Sequence, residues 1–163
     1  MTDKKSNLQF LVDANQTAVR RLIDDVTEDE SLVRGQDNLL HIRWNVGHIV
    51  YNAFLVLRTL GIDAPLPGGW HELFRRGCDF SEDADAYPSM AELREKLCAY
   101  YDQINARLAV LTDTDLDGIQ DSEPVFEDTS ALNTSLFFCT HEFYHAGQIA
   151  VMRRILGRER TFG

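Results

Sequence analysis

The stretch HEFYH, from His141 to His145, matches H-E-x-x-H, the signature of zinc proteases. At about 100° per residue, two helical positions four apart share one face and differ in height by about one turn. Two imidazoles placed in this way can converge on one metal ion. The spacing therefore predicts a metal site, and it raises the question of whether the chain cleaves peptides.

A zinc protease needs a third ligand, which generally lies farther along the chain. Only 18 residues follow His145, none of them is a histidine, and their one carboxylate, Glu159, lies just past the predicted helix end. The extended signature H-E-x-x-H-x-x-G-x-x-H also fails, because Gln148 and Val151 stand where it requires Gly and His. A protease site is therefore disfavoured.

The third donor is expected upstream, in the stretch RWNVGHIVYN, where His48 lies near the middle of a predicted helix. His48 belongs to an unusually polar stripe that is bordered by apolar residues; its other members are His41, Trp44, Asn45 and Asn52. Such a stripe can line a cavity inside a helical bundle. His48 with His141 and His145 would leave a fourth coordination position open for water or substrate, as in catalytic zinc sites.

Four amphipathic segments must position these side chains. Apolar residues recur every three or four positions, and the predicted helices run from about Asn7 to Val26, Leu39 to Leu60, Ser89 to Leu111 and Ala131 to Leu156. Ser89 and Glu92 form a capping box at the start of the third helix. No stretch alternates as a strand does. The pattern predicts an all-α four-helix bundle, with residues 1–163 as a single domain.

The connections between these helices differ in length. The second, from Gly61 to Pro88, is the longest, and it could cross the bundle so that the second and third helices run parallel. The third, from Thr112 to Ser130, is rich in Asp and Glu and is expected to be solvated.

Charge and hydropathy limit the classes of partner that the chain is expected to bind. With 26 acidic against 16 basic residues, the formal net charge is −10, which disfavours nucleic-acid binding. No apolar run reaches the roughly 18 residues of a membrane span, and the first residues lack the apolar core of a signal peptide. Cys78, Cys98 and Cys139 are widely spaced, which is typical of reduced thiols. We therefore expect a cytoplasmic protein with no membrane or nucleic-acid partner.

WNVGHI on the second predicted helix and HEFYHAGQIAVMRRILG on the fourth resemble the DinB/YfiT-like metalloenzymes, the DinB superfamily. The WHELFRRG segment of the long connection agrees more weakly, and the resemblance covers essentially the whole chain. It implies a bundle of up-down-down-up topology and a divalent metal, commonly zinc or nickel, held by His48, His141 and His145. Family members are often dimers, so the resemblance leaves a homodimer open.

The resemblance also implies the chemistry. Characterised relatives use low-molecular-weight thiols, as transferases or thiol-dependent isomerases, so a thiol is the candidate co-substrate. The favoured hypothesis is a metal-dependent thiol transferase that acts on a small electrophile. The alternatives are a hydrolase that uses metal-bound water with Glu142 as base, and a non-catalytic metal- or ligand-binding module in stress response. The sequence does not decide among these three.

Several neighbouring residues have two interpretations. Glu142 is a weak catalytic candidate, since it points about 100° away from His141. Gln148 either contacts a ligand at the metal or bonds to another helix. Tyr144 is expected to pack in the core, with a phenol near the site as the alternative. Trp44 is expected to form a cavity wall. His41 and His71 are expected to be satisfied or surface histidines, with a fourth metal ligand as the alternative for His71. Cys78 is expected to be an inert thiol, with an approach to the pocket as the alternative, and Cys139 is expected not to bind the metal.

Overall fold

The computed structural model describes residues 3–35, 39–118 and 130–162, and helices dominate these ranges. The long helices are α1 (Lys4–Ile23), α3 (Ile42–Thr59), α5 (Met90–Val110) and α7 (Ala131–Ile155), and the short ones are α2 (Glu28–Ser31), α4 (Trp70–Phe74) and α6 (Asp113–Leu116), with a 3₁₀ turn at Ala84–Ala86. The described residues contain no strand. The prediction of an all-α fold is confirmed.

Hydrogen bonds between helix ends show how α1 runs relative to its neighbours. Arg94, near the start of α5, donates to the carbonyl of Ile23 at the end of α1. Arg153, near the end of α7, donates to the carbonyl of Leu22, also at the end of α1. Helix α1 is therefore antiparallel to α5 and parallel to α7.

A third contact places α3. Arg107, near the end of α5, donates to the carbonyl of Leu60 just after α3, at 2.9 Å, so these two helices run in the same direction. Because α5 opposes α1 and α7, α3 is antiparallel to α7. These directions are those of an up-down-down-up order, and the pair α3–α7 carries the site described below.

Capping residues explain where the helices begin. The capping box of Ser89 and Glu92 is present at α5, as predicted. Helix α1 begins earlier than predicted because the Asp3 side chain accepts from the backbone N–H of Ser6, at 2.6 Å. Helix α3 begins later because His41 accepts from the backbone N–H of Trp44, at 2.9 Å. Periodicity cannot show such boundaries, which depend on a cap.

The two longer connections have different outcomes. The stretch from Gly61 to Pro88 carries α4, whose Trp70 and Phe74 are buried against α3. In the acidic stretch from Thr112 to Ser130, α6 is described, and residues 119–129, on which the prediction of a solvated loop mainly falls, lie outside the described residues. None of the described helices has the length and apolar character that a membrane span requires.

Candidate metal centre

Three histidines from two antiparallel helices meet between α3 and α7. The Nε2 atom of His48 lies 3.0 Å from Nε2 of His141, and Nε2 of His145 lies 3.2 Å from the same atom. One ligand nitrogen from each of the three residues falls within 4.8 Å of the others. No other cluster of this kind occurs among the described His, Cys, Asp and Glu residues. The structure thus brings together the three residues that the sequence predicts as ligands.

Aromatic rings surround the cluster. Trp44 lies parallel to His48, with ring centroids 5.0 Å apart, and forms the wall that the sequence predicts. The rings of Phe137 and Tyr144 lie nearly parallel to the His141 ring, with centroids 5.7 and 6.0 Å from it. His48 and His145 are buried, whereas His141 is partly exposed. The cluster is therefore closed on its α3 side and accessible beside His141.

The tautomer of His48 is fixed by a backbone carbonyl. Its Nδ1 lies 2.5 Å from the carbonyl oxygen of Phe74, at the end of α4. A carbonyl oxygen can only accept, so Nδ1 carries the proton and donates it. The Nε2 atom of His48 then has a free lone pair, which faces the other two histidines.

The tautomer of His145 is fixed in the same way by Asn45. The amide nitrogen of Asn45 donates to the carbonyls of Leu40 and His41, at 3.2 and 3.1 Å, so its oxygen must face His145. That oxygen lies 2.8 Å from Nδ1 of His145, which is therefore the protonated nitrogen. A second Nε2 lone pair points into the cluster.

This arrangement fits a bound cation. Nε2 of His141 has two close neighbours that are both acceptors, and a neutral ring offers at most one proton for the two. In a tetrahedral zinc site with Zn–N distances of 2.0–2.1 Å, the nitrogens lie about 3.3–3.4 Å apart. The separations of 3.0 and 3.2 Å are close to that spacing. The donor set and its geometry are therefore compatible with a three-histidine metal site.

Electrostatics keep the cluster neutral and ready to bind a metal. Burial lowers the pKa of His48 to about 4, and burial together with the neighbouring imidazoles lowers the pKa of His145 to about 3. Burial and the positive charge of Arg76 also lower the pKa of His141. Imidazole binds a metal only when it is neutral, so all three are available at neutral pH.

The sequence model of the DinB superfamily matches residues 11–149, from within α1 to within α7. The chain belongs to the DinB superfamily. The predicted family membership is therefore confirmed, and members of this superfamily bind metals. No match was found among curated proteins. For this DinB-superfamily chain, the three-histidine cluster is the feature that agrees with metal binding.

Glu142, the acidic residue of the H-E-x-x-H match, lies in the core of the DinB fold, on the side of α7 that faces α1. One oxygen of its carboxyl group accepts from the side-chain amide of Asn15, at 3.1 Å, and only 5 % of the residue is exposed. Burial raises the pKa of Glu142 to about 8. The group is therefore protonated at neutral pH and bonded to α1, a placement that gives no support to its role as a base at the metal.

Two other candidates on α7 lie beside the cluster. Gln148 raises the pKa of His145 by a side-chain interaction with its ring. Burial and the other two histidines lower that pKa by more, so the net shift is downward. The buried Oε1 of Gln148 has no hydrogen-bond partner of normal geometry among the described residues. Tyr144 is 60 % exposed, so the expectation that it packs in the core is wrong. It lies on the outer side of α7, where its ring covers His141.

The other candidates lie outside the cluster. His41 is buried and satisfied as the cap of α3, in agreement with its interpretation as a structural residue. His71 is exposed on α4 and its Nδ1 lies 3.0 Å from the hydroxyl of Tyr51. Cys139 is buried toward Asn15, which its carbonyl contacts, and burial raises the pKa of its thiol to about 12. Cys78 contacts the carbonyl of Leu73. All three cysteines are unpaired.

Sequence reasoning did not identify the groups that orient the histidines. Asn45 could have been identified from the sequence, since it is a polar residue one turn before His48 on a largely apolar helix. The carbonyl of Phe74 could not have been identified in this way, because every residue has a backbone carbonyl. Arg76 follows Phe74 by two residues, so only the course of the connection brings its charge near His141.

Proposed function

We propose that this protein binds one divalent metal, zinc or nickel, through His48, His141 and His145 and uses it to transfer a low-molecular-weight thiol to a small electrophile. The observation that carries the proposal is the pair of fixed tautomers, which direct two Nε2 lone pairs at a third imidazole. Two acceptors held so close together, with a partly exposed third ring, favour a cation with an open coordination position.

The chemistry that a metal supplies at such a site is the deprotonation of a bound thiol, which gives a thiolate at neutral pH. The sulfur then forms a bond to the electrophilic carbon, the leaving group departs with its bonding electrons, and the thiol proton goes to solvent. The protein's residues bind and orient the reactants. The positive charge of Arg76, which lowers the pKa of His141, acts on the site, and we infer that it favours a thiol that carries a carboxylate.

Gln148 and the aromatic rings have complementary roles in this proposal. The buried Oε1 of Gln148, one turn after His145, lacks a hydrogen-bond partner of normal geometry among the described residues, and we infer that it accepts a hydrogen bond from a molecule bound at the metal. Phe137 and Tyr144, whose rings lie beside His141, offer apolar surface to the electrophile. The hydrolase alternative needs a base at the metal, and the position of Glu142 against Asn15 does not favour it.

Metal analysis tests the ligand set. We expect about one zinc per chain in the wild type and none above background in the variant in which all three histidines are alanine. His71→Ala is the matched control, because this histidine lies on α4 outside the cluster and should leave the metal content unchanged. Unchanged stoichiometry in the triple variant would show that the ligands are misassigned.

A substrate panel tests the reaction. Small thiols with a chromogenic aryl halide are compared with ester and amide substrates, using the zinc-loaded protein. Activity with thiols alone supports the transferase, and activity with esters or amides alone supports the hydrolase. Silence in both panels with metal bound would favour the non-catalytic binding module.

We also propose a homodimer, located in the cytoplasm, as the form in which this domain works. The supporting observation is a set of exposed apolar side chains on the outer side of α7, formed by Phe143, Val151 and Ile155. Sedimentation equilibrium tests the assembly. A mass of one chain at micromolar concentration would contradict it.

A further inference from the structure

Helix α4 rests directly on the backbone of α3 at Gly47. A Cβ atom built on Gly47 would lie 2.1, 2.3 and 2.6 Å from three carbon atoms of the Phe74 ring. Separations below 3.0 Å are essentially never seen for a real Cβ, so even alanine does not fit while Phe74 stays in place. The Phe74 ring is fully buried and has little room to move.

This close approach delivers two consecutive carbonyls to the metal cluster. The carbonyl of Phe74 lies 2.5 Å from Nδ1 of His48, and the carbonyl of Leu73 accepts from Nε1 of Trp44, at 3.1 Å. Trp44 in turn stacks on the His48 ring. The end of α4 therefore holds both members of the Trp44–His48 stack, and it reaches them only because residue 47 has no side chain.

Glycine is an expensive choice inside a helix. It destabilises a helix interior by about 0.5–1 kcal/mol relative to alanine. Gly147 of α7 shows the contrast, since a Cβ built there meets nothing within 4 Å. At Gly47, in contrast, the absence of a side chain is what allows the Phe74 ring to pack against α3. Phe74 belongs to α4, the helix whose end orients His48.

We propose that Gly47 is a positioning residue for the metal site: by seating Phe74 against α3, it holds His48 in the tautomer whose Nε2 faces His141 and His145. The inference rests on the proposed function, because it assumes that His48 binds a metal. Its geometric basis is the contact between His48 and the Phe74 carbonyl. Groups that orient a metal-binding histidine typically change metal affinity by 10–100-fold when they are lost.

The test compares Gly47→Ala with Gly147→Ala, which makes the same chemical change where there is space. Zinc affinity is measured by competition with a chromophoric chelator at pH 7. We expect Gly47→Ala to weaken zinc binding by about 10–100-fold and Gly147→Ala to leave it unchanged. Equal affinities for Gly47→Ala and wild type would overturn the proposal.

A second readout uses the metal-free protein. Long-range ¹H–¹⁵N correlation spectra of the imidazoles distinguish a proton on Nδ1 from one on Nε2. We expect His48 to be protonated on Nδ1 in the wild type and in Gly147→Ala, and to lose this preference in Gly47→Ala. An unchanged Nδ1 proton in Gly47→Ala would contradict the inference. Failure of the wild type to bind zinc would instead contradict the proposed function and leave this readout informative.

A rescue experiment tests whether the effect of Gly47→Ala passes through the Phe74 ring. Phe74→Ala removes the ring that the new methyl group would strike, while the carbonyl of residue 74 remains. In this background we expect Gly47→Ala to weaken zinc binding by less than about threefold, whereas an effect that does not pass through the Phe74 ring would weaken it equally in both backgrounds. Equal losses of zinc affinity in the wild-type and Phe74→Ala backgrounds would overturn the proposal. This holds even if Gly47→Ala alone is poorly folded.

Discussion

Replacing Glu142 by glutamine is expected to stabilise the metal-free protein at neutral pH. The carboxyl group is buried and its pKa is raised to about 8, above the value of 4.5 taken for an exposed glutamate. Between these two values the folded chain holds a proton that the unfolded chain releases, so stability falls as pH rises. Glutamine keeps the oxygen that accepts from Asn15 and removes the ionisation.

The magnitude follows from the two pKa values. At pH 5 the unfolded carboxyl is only partly ionised, whereas at pH 7 it is almost fully ionised and the folded group is still protonated. The wild type should therefore lose about 2–3 kcal/mol relative to Glu142→Gln between pH 5 and pH 7. The difference should level off above about pH 8, where the folded carboxyl also ionises.

Urea unfolding at pH 5, 6, 7 and 8, followed by circular dichroism with chelator present, measures this difference. The comparison is between variants because the buried histidines act in the opposite direction: their lowered pKa values remove stability as pH falls from about 6.5 toward about 4. Glu72→Gln, an exposed carboxylate on α4, controls for the loss of a charge. Parallel stability profiles for wild type and Glu142→Gln would refute the reasoning.

Three further predictions concern the cap of α3, the charge at the site and the acid limit of metal binding. His41→Ala should lower the free energy of unfolding by about 1–2 kcal/mol in urea titrations, and His41→Asn, which keeps a capping acceptor, by less. Arg76→Glu should raise the KM for a carboxylate-bearing thiol several-fold, while Arg75→Glu should not, in steady-state kinetics. Zinc affinity, measured by competition titration from pH 4 to 7, should begin to fall only below pH 6.5, the value for an exposed histidine, because burial lowers the pKa of His48, His141 and His145.

Each of these has a clear opposing result. Equal losses for His41→Ala and His41→Asn would show that the cap is unimportant. Equal kinetic effects of Arg76→Glu and Arg75→Glu would show that only net charge matters. Zinc affinity that falls steeply near pH 6.5, the value for an exposed histidine, would show that the site is open to water.

The helices were predictable because burial imposes a period on the sequence. Leu93, Leu97 and Leu108, for example, are fully buried on the stripe that predicts α5. Their ends were less predictable, because a boundary depends on a capping side chain. The cap of α5 uses Ser89 and Glu92, a recognisable pair, whereas the cap of α3 uses a histidine, which is an unusual capping residue.

The three histidines of the site were predictable from spacing and resemblance, but their supports were not. Helical phase brings His141 and His145 together and turns Glu142 toward α1, which explains why the H-E-x-x-H match is misleading here. The carbonyl of Phe74 could not be predicted as a partner of His48, because every residue has a backbone carbonyl. Its role emerges only when the long connection folds α4 onto Gly47.

A crystal structure of the zinc-loaded protein, with anomalous data collected at the zinc edge, tests the central claim most directly. We predict one anomalous peak per chain, about 2.0–2.1 Å from Nε2 of His48, His141 and His145, with further density at a fourth position. The Nδ1 atoms of His48 and His145 should keep their bonds to Phe74 and Asn45. A peak elsewhere, or a metal bound through those Nδ1 atoms, would contradict the account.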